Sequence, residues 1–99
     1  ITRTKRQKPK IFNKDISSNS LYVRLEVKDK PGVLSSITKI FANHKISIQR
    51  IIQIPDSKKK TASIVIITHD ANELSSQKCI KSFKLNQNII KNPVLIRLF

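Results

Sequence analysis

The residues of this sequence that could do chemistry are concentrated between positions 25 and 34. An alternating apolar stretch leads into Asp29, Pro31 and Gly32, after which apolar residues return at helical spacing. A strand that delivers the chain to a helix N-terminus leaves backbone amides and the positive end of the helix dipole free to bind a carboxylate. Gly32 admits close approach because it has no side chain. Asp29 could pair with an ammonium group, so the segment matches the two charges of an amino acid.

The same spacing also has a purely structural interpretation. Asp29 could cap the helix, and Pro31 and Gly32 could simply shape the turn. The segment taken alone leaves both interpretations open.

The remaining reactive side chains form no recognisable catalytic or metal-binding pattern. His44 continues the apolar stripe of the first helix and His69 precedes a turn, and neither has a Ser, Cys or carboxylate at catalytic spacing. Cys79 is the single cysteine, so an intramolecular disulfide is excluded, and its position beside Ile80 predicts a buried, inert thiol. We therefore expect no enzymatic activity, metal site or bound cofactor in this chain.

Length and composition restrict the classes of protein further. A chain of 99 residues is about one domain, too short for a complete dehydrogenase. The net charge of +14 is dispersed along the chain, which favours a solvated basic surface over a nucleic-acid site. No apolar run approaches the length of a membrane span, and no export signal is present. A cytoplasmic location without a membrane partner is the resulting expectation.

Hydrophobic periodicity predicts the elements that position the segment. Apolar residues alternate from Ser20 in the first strand, and Pro31 suits the first turn of the helix that follows. That helix should end near His44, where Asn43 or Lys45 must adopt the left-handed conformation because glycine is absent.

The rest of the pattern completes a βαββαβ order. A second strand with a bulge near Arg50 and a third strand over residues 62–68 precede a second helix. This helix should begin with a capping box of Asp70 and Glu73 and should direct Leu74, Ile80 and Phe83 inward. A last strand over residues 94–99 follows. The order predicts an α+β ferredoxin-like fold with one four-stranded antiparallel sheet and two helices on one face.

Two further expectations follow from this order. Residues 1–19 are basic and lack an apolar period, which indicates a linker or connecting arm before a domain over residues 20–99. The sheet face opposite the helices should carry Tyr22, Arg24, Val65 and Ile67, and its exposure favours a partner surface or self-association.

Several motifs resemble a known family. The sequence reads VKDKPGVL over residues 27–34 and ISI over residues 46–48, which is similar to the ACT-domain signature. LYVRL (21–25), IIQ (51–53), IITH (66–69) and PVLIR (93–97) resemble the C-terminal ACT domain of bacterial homoserine dehydrogenases. The resemblance covers roughly residues 20–99.

The resemblance implies an allosteric amino-acid site, feedback inhibition by L-threonine and a homodimer formed through sheet edges. It assigns NAD(P) to a catalytic part that lies outside this sequence. The effector-binding residues that it implies are Asp29, Lys30, Gly32, Val33, Leu34, Ile46 and Ser47. Because the first helix runs the length of the sheet, Asp29 and Ser47 should lie at opposite ends of one protomer. A two-fold pairing along the second strand would bring them together between subunits.

Three alternatives remain at this point. An RNA recognition module has the same element order, but its third strand carries aromatic residues for base stacking, and residues 61–68 contain none. An ACT domain can serve dimerisation alone. The parent enzyme could also be another one, such as an acetolactate synthase with its regulatory subunit.

Overall fold

The computed structural model of this chain describes residues 18–98. In chain order the elements are β1 (Ser18–Lys28), α1 (Val33–Asn43), β2 (Ile48–Asp56), β3 (Thr61–Thr68), β4 (Ala71–Asn72), α2 (Glu73–Lys84) and β5 (Val94–Leu98). This order confirms the predicted βαββαβ pattern and adds the two-residue strand β4. No helix among residues 18–98 is long and apolar enough to cross a membrane.

All strand pairs in the sheet are antiparallel, and β1 lies at its centre. β1 pairs with β3 on one side and with β5 on the other, while β2 extends the sheet beyond β3. The short β4 pairs with Ser18 and Asn19 at the start of β1. This is the ferredoxin-like arrangement, and it makes β2 and β5 the edge strands.

The core lies between the sheet and the two helices. Every second residue of β1 and β3 is buried beneath α1 and α2, as period-two alternation requires. Phe41 of α1 and Phe83 of α2 meet there with ring centroids 5.2 Å apart and planes tilted by 56°, a favourable aromatic geometry. Both helices therefore cover the same face of the sheet, as predicted.

The opposite face of the sheet is open to solvent in one protomer. Tyr22, Arg24, Val65 and Ile67 lie on it as expected, because each pairs across the strands with another outward residue. Edge strands add exposed apolar side chains to this face, namely Ile52, Ile54, Val94, Ile96 and Leu98.

Several local predictions are confirmed. β2 is an edge strand whose register shifts between Ile48 and Arg50, where the bulge was expected. Lys45 takes the left-handed conformation after α1 with φ of 59°, and His44 is the helix C-cap. Cys79 is buried, and burial raises its thiol pKa to about 12.

Other local predictions are wrong in detail. The N-cap residue of α2 is Asn72, whose side chain accepts a hydrogen bond from the Ser75 amide at 2.7 Å, so Asp70 does not cap this helix. Leu74 is exposed rather than inward, because at 100° per residue it lies about 180° around the helix from the buried Phe83. Pro31 precedes the N-cap residue of α1 and lies outside the first turn. β1 begins two residues before Ser20, and residues 1–17 of the arm predicted over residues 1–19 lie outside the described residues.

Candidate functional site

The turn between β1 and α1 is fixed by backbone hydrogen bonds to neighbouring loops. The Lys28 amide donates to the Asn88 carbonyl, and the Asp29 amide donates to the Lys60 carbonyl, both at 2.9 Å. Gly32 then turns the chain with φ of 88°, a left-handed conformation that glycine adopts without a Cβ penalty. A strand end and a helix start are thereby held together in a defined geometry.

The N-terminus of α1 has no side-chain cap. Gly32 is the N-cap residue, and no side chain among residues 18–98 accepts a hydrogen bond from the first turn, which also contains no acidic residue. The Val33 amide makes a long hydrogen bond of 3.4 Å to the Lys30 carbonyl, whereas no described residue accepts from the Leu34 amide. Free amides at the positive end of a helix dipole are a site for a carboxylate.

Asp29 does not perform the capping role that the sequence left open. Its side chain is exposed, and it forms no hydrogen bond or ion pair with any residue between 18 and 98. The carboxylate is therefore available to a ligand, on the rim of the turn.

A cleft of about 380 Å³ lies against this turn. Its lining contains the whole segment from Val27 to Leu34, together with Gln53 of β2 and the core residue Ile64 of β3. The structure thus brings together five of the predicted site residues, which are Asp29, Lys30, Gly32, Val33 and Leu34.

The two other predicted residues lie at the far end of the sheet. The Ile46 amide closes the end of α1 by donating to the Phe41 carbonyl at 3.0 Å, and the Ser47 carbonyl accepts from the His69 amide at 2.9 Å. β3 separates this end from the Asp29 end, and eight strand residues span about 24 Å. One protomer therefore does not bring Ser47 into contact with a ligand at Asp29, in agreement with the topological argument.

Gln53 is the site residue that the sequence analysis missed. It pairs across the strands with Ile64, whose side chain is buried, so Gln53 projects from the helix-covered side of β2 into the cleft. The available signal was the alternation along β2, which sets Gln53 apart as the polar residue on the same face as Ile51.

The exposed edge of β2 offers a surface through which two protomers could pair and complete each other's sites. All residues of β2 after Ile48 are exposed, although Ile51, Ile52 and Ile54 are large and apolar. Asp56, at the end of β2, pairs with Thr61, which pairs with Lys28 next to Asp29. An antiparallel two-fold pairing of β2 strands would consequently place the Ser47 end of one protomer beside the Asp29 end of the other.

The ionic contacts of the molecule lie away from this cleft. Arg97 Nε donates to Glu73 Oε1 at 2.7 Å, and this hydrogen bond lowers the pKa of Glu73. Arg24 pairs with Glu26 on the open face of the sheet. Residues 18–98 contain no group of three or more potential metal ligands.

Comparison with known proteins assigns the family. The sequence matches the ACT domain over residues 21–82. This chain belongs to the ACT domain family. It is 35% identical over 77 residues to a homoserine dehydrogenase of Helicobacter pylori, covering 78% of this chain and 18% of that protein. A homoserine dehydrogenase of Neisseria gonorrhoeae is 32% identical over 88 residues, covering 89% of this chain and 20% of the relative.

Solved structures support the same relationship. A homoserine dehydrogenase from Thiobacillus denitrificans superposes with a TM-score of 0.75 at 28% identity, covering 91% of this chain and 20% of that one. The ACT domain of GTP pyrophosphokinase from Chlorobium tepidum shares the fold, with a TM-score of 0.62 at 16% identity, covering 83% of this chain and 100% of that chain. This ACT domain spans about a fifth of the homoserine dehydrogenases that it matches.

Proposed function

We propose that this ACT domain is the amino-acid-sensing regulatory part of a homoserine dehydrogenase and that L-threonine is its effector. The proposal of the parent enzyme is supported by relatives that are all named homoserine dehydrogenase. Dehydrogenation with NAD(P) belongs, in this proposal, to a separate catalytic part. Threonine is proposed because the motifs resemble those of threonine-inhibited enzymes.

The proposal rests on one observation, which is that an unpaired carboxylate and an uncapped helix N-terminus lie in the same cleft. The carboxylate of an amino acid would accept hydrogen bonds from the amides near Gly32 and Leu34. Its ammonium group would pair with Asp29, and the Gln53 amide is suitably placed on the cleft wall to bind a side-chain hydroxyl.

Dimerisation would complete each site. In the proposed two-fold pairing along β2, Ser47 of a second protomer would approach the ligand from the open side of the cleft. Effector binding and assembly would then be linked, because the ligand contacts both protomers.

Titration calorimetry with L-threonine tests the site. Asp29→Ala should weaken binding about tenfold to a hundredfold, since it removes a charge-assisted contact of roughly 1.5 to 3 kcal/mol. Ser47→Ala should weaken it less. Lys78→Ala, an exposed change on α2, is the matched control and should leave the affinity unaltered. Wild-type affinity in folded Asp29→Ala would refute the site.

A second candidate function is assembly without an effector, which the exposed apolar β2 edge favours. A calorimetric screen of the twenty protein amino acids separates the two functions. Absence of any binding heat from a stable dimer would select the assembly role.

A further inference from the structure

A second surface feature, unrelated to the cleft, is a groove of about 440 Å³ between α2 and β5. Its floor is apolar, with Ile80 on the helix side and Pro93 and Leu95 on the strand side. Lys81 and Lys84 stand along its helical wall. None of its lining residues contributes to the Asp29 cleft.

The lysines of this groove are not neutralised within the described part of the chain. Lys81 and Lys84 are exposed and form no ion pair with any residue from 18 to 98. The nearby carboxylate, that of Glu73, is already paired with Arg97, which also lines the groove. Net positive charge therefore borders an apolar floor.

The groove runs beside an open sheet edge. β5 pairs with β1 on one side, and no described strand pairs with it on the other. An edge strand of this kind presents main-chain donors and acceptors to which an extended peptide can add as a further strand.

We propose that this groove binds an extended acidic segment of another protein by strand addition to β5. Every second side chain of the segment would face the groove, and these groove-facing positions would be apolar where they pack on Ile80 and Leu95 and acidic where they reach Lys81 and Lys84. The main-chain ladder supplies affinity, and the charges and the apolar floor supply selectivity.

Charge excludes two occupants that belong to this chain. The β5 strand of a second copy, Val94–Leu98, carries Arg97 and no carboxylate, so it has no acidic group to pair with Lys81 and Lys84. Residues 1–17 carry six Lys or Arg against one Asp, so the sign is again unfavourable. Nucleic acid has the required charge but cannot add to a β-ladder, and no aromatic side chain lines this groove for base stacking.

Fluorescence anisotropy tests the proposal with a labelled peptide in which every second residue is valine or aspartate in turn and the intervening residues are threonine, so that both side-chain types face the groove. We expect saturable binding to the whole chain, weakened at least about tenfold by the double change Lys81→Glu and Lys84→Glu. The matched control, Lys39→Glu with Lys58→Glu, makes the same change in net charge at exposed positions outside the groove. It should alter the affinity by less than about twofold at physiological salt, where distant charges are screened.

A peptide of the same sequence that is N-methylated at consecutive residues, so that neither of its edges can form the ladder, should not bind. Equal binding of the methylated peptide, or equal losses in the two double variants with folding verified by circular dichroism, would overturn the proposal. The proposal would also be overturned if Lys81→Glu with Lys84→Glu weakened binding to a DNA duplex and left peptide binding unchanged. Threonine binding is read out separately, so failure here leaves the effector site standing.

Discussion

Among single residues, Glu26 shows how local contacts outweigh burial on the open face of the sheet. Ser63 Oγ donates to Glu26 Oε1 at 2.6 Å, and Arg24 Nε donates to Oε2 at 2.9 Å. Burial by itself raises the pKa of this carboxyl, but the hydrogen bonds from Ser63 and Arg24, aided by the charge of Arg24, hold it below its usual value. The ionised form is therefore favoured by folding.

This shift predicts how the pH dependence of stability changes in Glu26→Gln. Because the folded-state pKa is depressed, the stabilisation is present above the unfolded value near 4.5 and is lost as pH falls through the folded value. The free energy of unfolding should drop less steeply below about pH 5 in the variant, and at pH 7 the variant should lose up to about 1 kcal/mol. Urea titrations across this range measure both effects. Parallel pH profiles for the two proteins would contradict the assignment.

Among the secondary-structure elements, α2 depends on its cap more than α1 does. Asn72 ends β4 and caps α2 through the Ser75 amide, whereas α1 begins at an uncapped glycine. The uncapped helix is the one that faces the cleft, and the capped helix lines the α2–β5 groove. Capping thus distinguishes the helix end that serves the structure from the one that is free for a ligand.

Substitution at the cap of α2 tests this distinction. Asn72→Ala should destabilise the domain by about 1 kcal/mol, because the Ser75 amide loses its acceptor. Asp70→Ala should cost less, since Asp70 accepts only an exposed hydrogen bond from Ser20 at 3.0 Å. Chemical denaturation of both variants supplies the comparison. A larger loss in Asp70→Ala would reinstate the capping box predicted from sequence.

At the scale of the whole molecule, the protein has two kinds of surface for self-association, which are its two exposed edge strands and its open sheet face. β2 and β5 both carry exposed isoleucines on that face, Ile52 at 44% and Ile96 at 50% exposure. A dimer paired along β2 would have Ile52 at its interface but not Ile96, whereas packing of two open faces would have both residues at the interface.

Light scattering at micromolar concentration should report a dimer. Ile52→Lys should shift it towards monomer, because the two-fold axis brings the two introduced positive charges close together. Ile96→Lys, equally exposed, should leave the mass unchanged. Both variants should fold, because neither side chain is in the core. Loss of the dimer in both variants would indicate face-to-face packing, and a monomeric wild type would refute the interfacial site.

Local pattern in the sequence determined most of the elements of this protein and the contiguous part of its candidate site. Period-two alternation specified β1, a run that is apolar on both faces specified β3, and helical spacing specified α1. The absence of glycine forced Lys45 into the left-handed conformation. The motif from Asp29 to Leu34 is contiguous, so a strand followed by a helix suffices to assemble it. These features depend on interactions between residues close in the chain.

Tertiary structure decided what depends on distant pairing. The register of β2 on β3 brings Gln53 into the cleft, which the sequence analysis did not predict. Pairing of β4 with the start of β1 accompanies an N-cap of α2 at Asn72 rather than at Asp70. Neither outcome is encoded by periodicity within one segment, because a one-residue shift in strand pairing moves every side chain of the strand to the opposite face.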